Sequence, residues 1–338
     1  MATATFCVGL LPSYASIGIW APIALIFLRL VQGFAVGGEW GGAVLLAAEH
    51  GSAERRGLWA SVPQAGVPAG SLLAAGVFAL LASTLSEADF LAWGWRVPFL
   101  ASFVLILVGW WIRQSVGETP SFRREVEEAG AHAKVPVVEV FRERPRALLT
   151  GAGLRVGENI IYYIITVFSI TYMTEVANLD RAQALNAILI GAVVHLFTIP
   201  LMADLSDRIG RRTVYAAGGL GGAAFAFLFF PMLGSGDWSQ AVIAVTIALI
   251  LHGAMYGPQA AFIAELFPTR IRYSGASIAY QLTSIVAGSL APIIALALYQ
   301  QEKSATPVAI YVAIACMISG VTALLARETK GVRLEDIT

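Results

Sequence analysis

The sequence predicts an all-α polytopic membrane helix bundle, with about nine full transmembrane helices and one partial one. Three observations carry that expectation. Hydrophobic residues make up 57% of the chain and charged residues only 13%, against about 25% charged in an ordinary soluble domain. Long apolar runs recur along the whole chain, and about 20 apolar residues are what a helix needs to cross a bilayer. The connections between the runs differ sharply in their content of bases, as they do in chains inserted with a fixed orientation.

The first apolar run, about residues 2–12, is too short to span lipid by itself. Its start, MATATFCVGLL, has no positively charged region and does not read as a cleavable signal. Full spans follow at about 20–48, 58–82, 94–112, 147–175, 183–204, 213–233, 239–261, 274–299 and 307–326. Several exceed the minimum length, so tilt or extension beyond the lipid is expected. The connections PSYASIG, STLSEADFLAWGW, VANLDR, GSGDWS and QQEKSAT are poor in bases. The others, EHGSAERRG, the segment 113–146, DLSDRIGRR, ELFPTRIRYS and the tail RETKGVRLEDIT, hold 17 of the 22 Lys and Arg residues. The positive-inside rule places that second set, and the C-terminus, in the cytoplasm of a protein of the cell inner (plasma) membrane.

Segment 113–146 is the one long polar connection. SFRREVEE within it is expected to form a short amphipathic helix on the inner membrane surface. It divides the chain into an incomplete N-terminal helix bundle (1–112), a cytoplasmic connecting segment (113–146) and a C-terminal six-helix bundle (147–338).

Several function classes drop out. Formal net charge is zero, so no nucleic-acid partner is expected. Cys7 and Cys316 sit singly in apolar runs and read as small packing residues. No Walker A, HExxH, GxSxG or CxxC pattern is present, so neither an enzyme nor a cofactor or metal site is expected. The cluster Gly218, Gly219, Gly221 and Gly222 lies inside a span and suits close helix packing.

The candidate chemistry lies in polar residues inside the spans, where an ionisable group is costly and functional by default. Span 20–48 holds Arg29, Gln32 and Glu39 among five glycines, Gly33, Gly37, Gly38, Gly41 and Gly42. Gln32 and Glu39 share a helix face, with Arg29 about 60° to one side. Span 147–175 holds Arg155, Glu158, Asn159, Tyr162 and Thr166 on one stripe. Arg155 and Glu158 can pair within the helix, offering a guanidinium to a carboxylate and a carboxylate to a proton. Span 239–261 holds His252, Tyr256 and Gln259 on one face. His195, alone on an apolar helix, reads as a packing residue. Tyr280, Gln281 and Ser284 form a weaker patch. Two inner loops alternate charge: Asp204, Asp207, Arg208, Gly210, Arg211 and Arg212 in one, and Glu265, Arg270 and Arg272 in the other. Opposite charges at helix ends on the same side suggest a network that closes the cytoplasmic face.

These residues resemble a known family. DRIGRR between two spans looks like the loop motif of the major facilitator superfamily, in which a small residue, usually glycine, stands four before the Asp-Arg; here it is Ala203. RLVQGFAVGGEWGGA, AERRG, WGWRVPF, ETPSF and ELFPTRIRYSGASIAYQ are similar to the metabolite:proton symporters of that superfamily, which include permeases for shikimate, α-ketoglutarate, citrate and proline/betaine. The resemblance implies twelve spans in two six-helix halves, and hence a chain truncated at its N-terminus by two helices. It implies a cavity lined by the first, fourth, seventh and tenth helices. Spans 20–48, 147–175 and 239–261 match the last three of these. No heptads follow the last span, unlike the betaine-type osmosensors, so an organic-acid permease is the expectation.

The expected function is thus proton-coupled symport of small organic acids by alternating access, with a carboxylate substrate, protons and the lipid bilayer as partners. Arg29 and Arg155 hold the carboxylate, Glu39 or Glu158 carries the proton, and the two loop clusters gate the cytoplasmic side. The alternative is a truncated, non-transporting membrane protein, a gene remnant or an interaction partner, motivated by the missing cavity wall.

Overall fold

The computed structural model describes residues 1–115, 136–332 and 337. The apolar runs become helices, nine of which, among the described residues, are long and apolar enough to cross a membrane. The helices used below are α1 (Ala2–Leu10), α2 (Trp20–His50), α3 (Arg56–Thr84), α4 (Val97–Ser115) and α5 (Pro136–Glu143). They continue with α6 (Pro145–Glu175), α7 (Arg181–Ile209), α8 (Arg211–Leu233), α9 (Trp238–Ala264), α10 (Thr269–Glu302) and α11 (Thr306–Leu325). The expected SFRREVEE helix lies outside the described residues. Two helices carry a single π turn, Ile164–Phe168 in α6 and Ser284–Gly288 in α10. Such turns insert one extra residue into a helix and often mark functional sites.

The chain forms two compact units, Met1–Trp40 with Gly70–Arg123, and Gly41–Ala69 with Arg124–Thr338. Thus α2 and α3 are each shared, and the ends joined by the loop at residue 51 belong to the second unit. In the first unit α1 packs on α4. Arg96 closes the C-terminal end of α1, its guanidinium donating to the carbonyls of Gly9 (2.9 Å) and Leu11 (2.5 Å). That satisfies oxygens the helix end leaves without partners. The same guanidinium lies 4.6 Å from the Trp95 ring centre.

In the second unit α9 lies against α7 and α8, and α11 against α6 and α8. Small residues set how closely these axes approach. A side chain at Gly157 of α6 would meet the carbonyl oxygen of Ala315 at 2.3 Å and the Cα of Cys316 at 2.7 Å. Gly218 and Gly219 play the same part in α8, against the backbone of α9 and of α11. The outward faces are apolar: Phe197, Leu201, Val286 and Ile293 are all between 63% and 68% exposed, a surface suited to lipid rather than water. Among the α2 glycines, Gly41 faces the Ser277 hydroxyl of α10, while Gly33 and Gly37 meet no other element within 4 Å among the described residues.

Backbone contact at Gly157 leaves no room that a flexible neighbour can yield. Gly157→Val is therefore expected to destabilise the fold by about 3 kcal/mol or more, seen as a lowered unfolding temperature of the detergent-solubilised protein. A wild-type melting curve would contradict the close approach of α6 and α11.

Candidate functional site

The polar stripe of α6 meets the polar face of α9 inside the second unit. Arg155, Glu158 and Asn159 are 5%, 1% and 3% exposed, and His252 and Gln259 of α9 are 1% and 0% exposed. Charges this deep persist only when paired and hydrogen-bonded. Glu158 is bound on both oxygens. Oε2 accepts from a terminal nitrogen of Arg155 and from the Gln259 amide (3.1 Å), and Oε1 lies 2.8 Å from His252 Nε2. The other ring nitrogen, Nδ1, lies 2.9 Å from Nε2 of His195 on α7. Glu158, His252 and His195 thus form one unbroken buried chain across three helices. The rings of Tyr162 and Tyr256 flank His252 at 5.0 and 5.1 Å between centres.

The Arg155 guanidinium is engaged at all three of its nitrogens. Besides Glu158 it donates to Gln259 Oε1 (3.1 Å) and, through Nε and its second terminal nitrogen, to the Ser284 hydroxyl (3.3 and 3.2 Å). Ser284 opens the π turn of α10 and in turn donates to the Tyr280 carbonyl at 2.8 Å. The guanidinium carbon lies 3.6 Å from the Tyr280 ring centre, a cation–π distance. Gln259 also donates to the Tyr215 hydroxyl of α8 (3.0 Å), which donates to the Leu154 carbonyl. The Asn159 carbonyl oxygen has no hydrogen-bond partner among the described residues, and a side chain at Gly288 would come within 2.3 Å of it. The site is therefore built from α6, α8, α9 and α10, with α7 reached through His195.

The structure joins Arg155, Glu158, Tyr162, His252, Tyr256 and Gln259 in this cluster. It adds His195, which the sequence offered only as a solitary polar residue. It also adds Tyr215 and Ser284. On α2, Arg29 donates to Gln32 Oε1 (3.2 Å), and Gln32 donates to Thr5 of α1 at 2.7 Å. Gln32 is buried, whereas Arg29 and Glu39 are exposed. This group belongs to the first unit.

A second cluster gathers helix ends in the second unit. Arg211 at the start of α8, 2% exposed, donates to Asp207 Oδ1 (2.6 Å) and Glu265 Oε2 (3.3 Å). Arg56, at the start of α3, donates to Glu265 Oε1 at 3.1 Å. Asp207 also accepts from the backbone N–H groups of Gly57 and Leu58, both at 2.9 Å, so a carboxylate from α7 caps α3 where the helix dipole favours it. Gly57 leaves room for this pairing, since a side chain there would meet the Arg211 guanidinium at 2.1 Å and displace it. Glu328, beyond α11, caps α8 in the same manner, accepting from the N–H groups of Arg211 (3.0 Å) and Arg212 (3.1 Å). Gly210 makes the turn between α7 and α8 at φ 110, a conformation open to glycine. Thr329 donates to Glu265 Oε2 at 2.5 Å.

The remaining loop charges lie outside this knot. Asp204 and Arg208 form their own pair at 2.5 Å, with Arg208 68% exposed. Arg212 donates to the Leu324 carbonyl. Arg270 pairs with Glu139 and Glu143 of α5. Buried Arg272 donates to the Phe267 carbonyl (3.1 Å) and lies 3.9 Å from Glu49 of α2. Arg56 and Glu328 were missed because a base in a loop and an acid in a tail look like ordinary solvated charge until their partners are known.

The two kinds of pair differ measurably. Arg211→Met leaves Asp207 and Glu265 without their shared cation and is expected to cost about 3–5 kcal/mol. Arg208→Ala removes an exposed pair and is expected to cost under about 1 kcal/mol. Thermal unfolding in detergent reads both; equal losses would contradict the division.

The family model described as "Sugar (and other) transporter" matches residues 1–135 and 123–338. The shikimate transporter of Escherichia coli K12 is 39% identical over 333 residues, covering 98% of this chain and 76% of the relative. The inner membrane metabolite transport protein YhjE of the same organism is 37% identical, covering 98% and 76%. The proline/betaine transporter of Salmonella typhimurium LT2 is 33% identical, covering 100% and 69%. Among solved structures, the major facilitator superfamily proton:xylose symporter XylE bound to 6-bromo-6-deoxy-D-glucose aligns with a TM-score of 0.74 at 19% identity, covering 99% of this chain and 81% of that one. Those relatives are transporters rather than enzymes. This multi-pass membrane chain belongs to the sugar (and other) transporter family of the major facilitator superfamily.

Proposed function

We propose that the protein is a proton-coupled symporter of small organic acids in the inner membrane, with its C-terminus in the cytoplasm, and that Glu158 carries the coupling proton. The single observation that supports this reading is the Arg155–Glu158–His252 arrangement. With Glu158 ionised, its carboxylate occupies a terminal nitrogen of Arg155. A proton arriving on Glu158 removes the charge that holds the guanidinium, and the N–H it releases, beside those on Gln259 and Ser284, is then open to a substrate carboxylate. Proton and acid therefore bind together, and neither leaves a bare charge in the buried site. Conversely, loss of the proton restores the internal pair and expels the acid. The names of the shikimate and proline/betaine relatives, all substrates bearing a carboxylate, fit this chemistry.

In this reading Asn159, Tyr162, Tyr256 and Tyr280 shape the substrate contact, and the Arg56–Asp207–Arg211–Glu265 cluster is the cytoplasmic gate. Arg29, Gln32 and Glu39 contribute from the N-terminal bundle, residues 1–112. That bundle and the C-terminal one, 147–338, are the two bodies of an alternating-access cycle, joined by 113–146. The geometry favours Glu158 over Glu39 as the proton carrier: Glu158 is buried beside a cation and an imidazole, whereas Glu39 is exposed.

Proteoliposomes containing the protein are loaded at neutral pH and diluted into acidic medium with a panel of labelled carboxylates, including shikimate, proline and glycine betaine. Accumulation abolished by a protonophore is expected for at least one acid. Glu158→Gln should abolish that accumulation while leaving exchange of internal for external acid in place. Accumulation by Glu158→Gln at the wild-type level would assign the proton elsewhere, and Glu39→Gln in the same assay decides between the two carboxylates. Absence of uptake for every carboxylate would favour a non-transporting role.

A further inference from the structure

We infer that His195 is a working part of the proton path, the outer end of a relay that delivers the proton to Glu158 through His252; this rests on the reading of Glu158 as the proton carrier. The argument is one of connectivity. Glu158 Oε1 to His252 Nε2 is 2.8 Å, and His252 Nδ1 to His195 Nε2 is 2.9 Å. Both spans are hydrogen-bond distances, short enough for direct proton transfer. His252 and His195 are each 1% exposed, so no bulk water competes for these bonds. A histidine needed only for packing would not require its ring nitrogen to be aligned with that of a second histidine, itself aligned with a carboxylate.

The network fixes the resting tautomers. Ionised Glu158 only accepts, so His252 carries its proton on Nε2 and presents a bare Nδ1. His195 must then carry its proton on Nε2, leaving Nδ1 bare at the end of the chain. In a state of the transport cycle that opens this end to water, one proton taken up at His195 Nδ1 lets its Nε2 proton pass to His252 Nδ1. The Nε2 proton of His252 then passes to Glu158 Oε1. One proton has entered, Glu158 is neutral, and both imidazoles are again uncharged with their tautomers inverted. No oxidant, reductant or further group is needed. The titratable and charged groups around this chain are Arg155, Glu158 and Tyr162 of α6, Tyr215 of α8, Tyr256 of α9 and Tyr280 of α10. Arg155 faces Glu158 from the side opposite the relay. It therefore holds Glu158 ionised at rest, and the proton settles on the carboxylate as the guanidinium turns to the substrate.

The test needs no knowledge of the substrate. Infrared difference spectra of the wild-type protein in lipid, taken across a pH titration, are compared with those of Glu158→Gln to find the protonated-carboxyl band of Glu158. Solid-state ¹⁵N spectra at the two ends of that titration report which nitrogen of His195 is protonated, with His195→Gln identifying the signals. The expected result is that the His195 proton moves from Nε2 to Nδ1 as Glu158 becomes protonated. In His195→Gln, whose amide cannot take up and pass on a proton, protonation of Glu158 after a pH jump should slow by roughly 10²-fold. An unchanged His195 tautomer, or an unchanged protonation rate in His195→Gln, overturns the relay while leaving Glu158 as the proton carrier. If Glu158→Gln removes no carboxyl band, the reading of Glu158 itself falls.

Discussion

One carboxylate, Glu158, organises the second unit. It is buried among apolar helices at 1% exposure, where an isolated charge would cost many kcal/mol. Its compensation comes from three helices: Arg155 on its own helix α6, Gln259 and His252 on α9, and, through His252, His195 on α7. Each partner is itself held. Arg155 rests on the Tyr280 ring and on Ser284, and Gln259 on the Tyr215 hydroxyl. A change in the charge of Glu158 is therefore felt by every helix around it. The π turn in α10 begins at the serine that holds Arg155.

The helix-end cluster follows the same rule with the signs exchanged. There a buried cation, Arg211, is shared by two carboxylates, and one of these caps the start of another helix. Three helices carry members of both clusters. His195 and Asp207 lie on α7, Tyr215 and Arg211 on α8, and Gln259 on α9 with Glu265 at its C-terminal cap. In the proposed cycle these shared helices would carry a rearrangement around Glu158 to the helix-end cluster. The segment just beyond α11 adds its own ties, through Glu328 and Thr329.

Much of this was legible in the sequence because lipid imposes simple rules. Apolar length located the spans, and the nine long helices follow them closely. Helical periodicity placed Arg155, Glu158 and Asn159 on one face, and His252 and Gln259 on another. Periodicity describes one helix at a time, however. It could not reveal that His195, solitary on α7, lies 2.9 Å from His252. Nor could it reveal that Arg155 is engaged by Gln259 and Ser284 as well as by Glu158. Arg56 looked like one more inner-loop base, yet its partner is Glu265, far along the chain. The shared position of α2 and α3 between the two units is likewise invisible to hydropathy, which marks where a helix runs but not what it touches.

The central claim is that protonation of Glu158 releases Arg155 to the substrate carboxylate. Its most direct test is the affinity of the purified protein for a transported acid as a function of pH. The account predicts that, above the titration of Glu158, the dissociation constant rises about tenfold per pH unit, as uptake of one proton with each acid requires. In Glu158→Gln the affinity should be independent of pH over the same range. A wild-type affinity that does not change with pH, or a pH dependence that persists in Glu158→Gln, would contradict it.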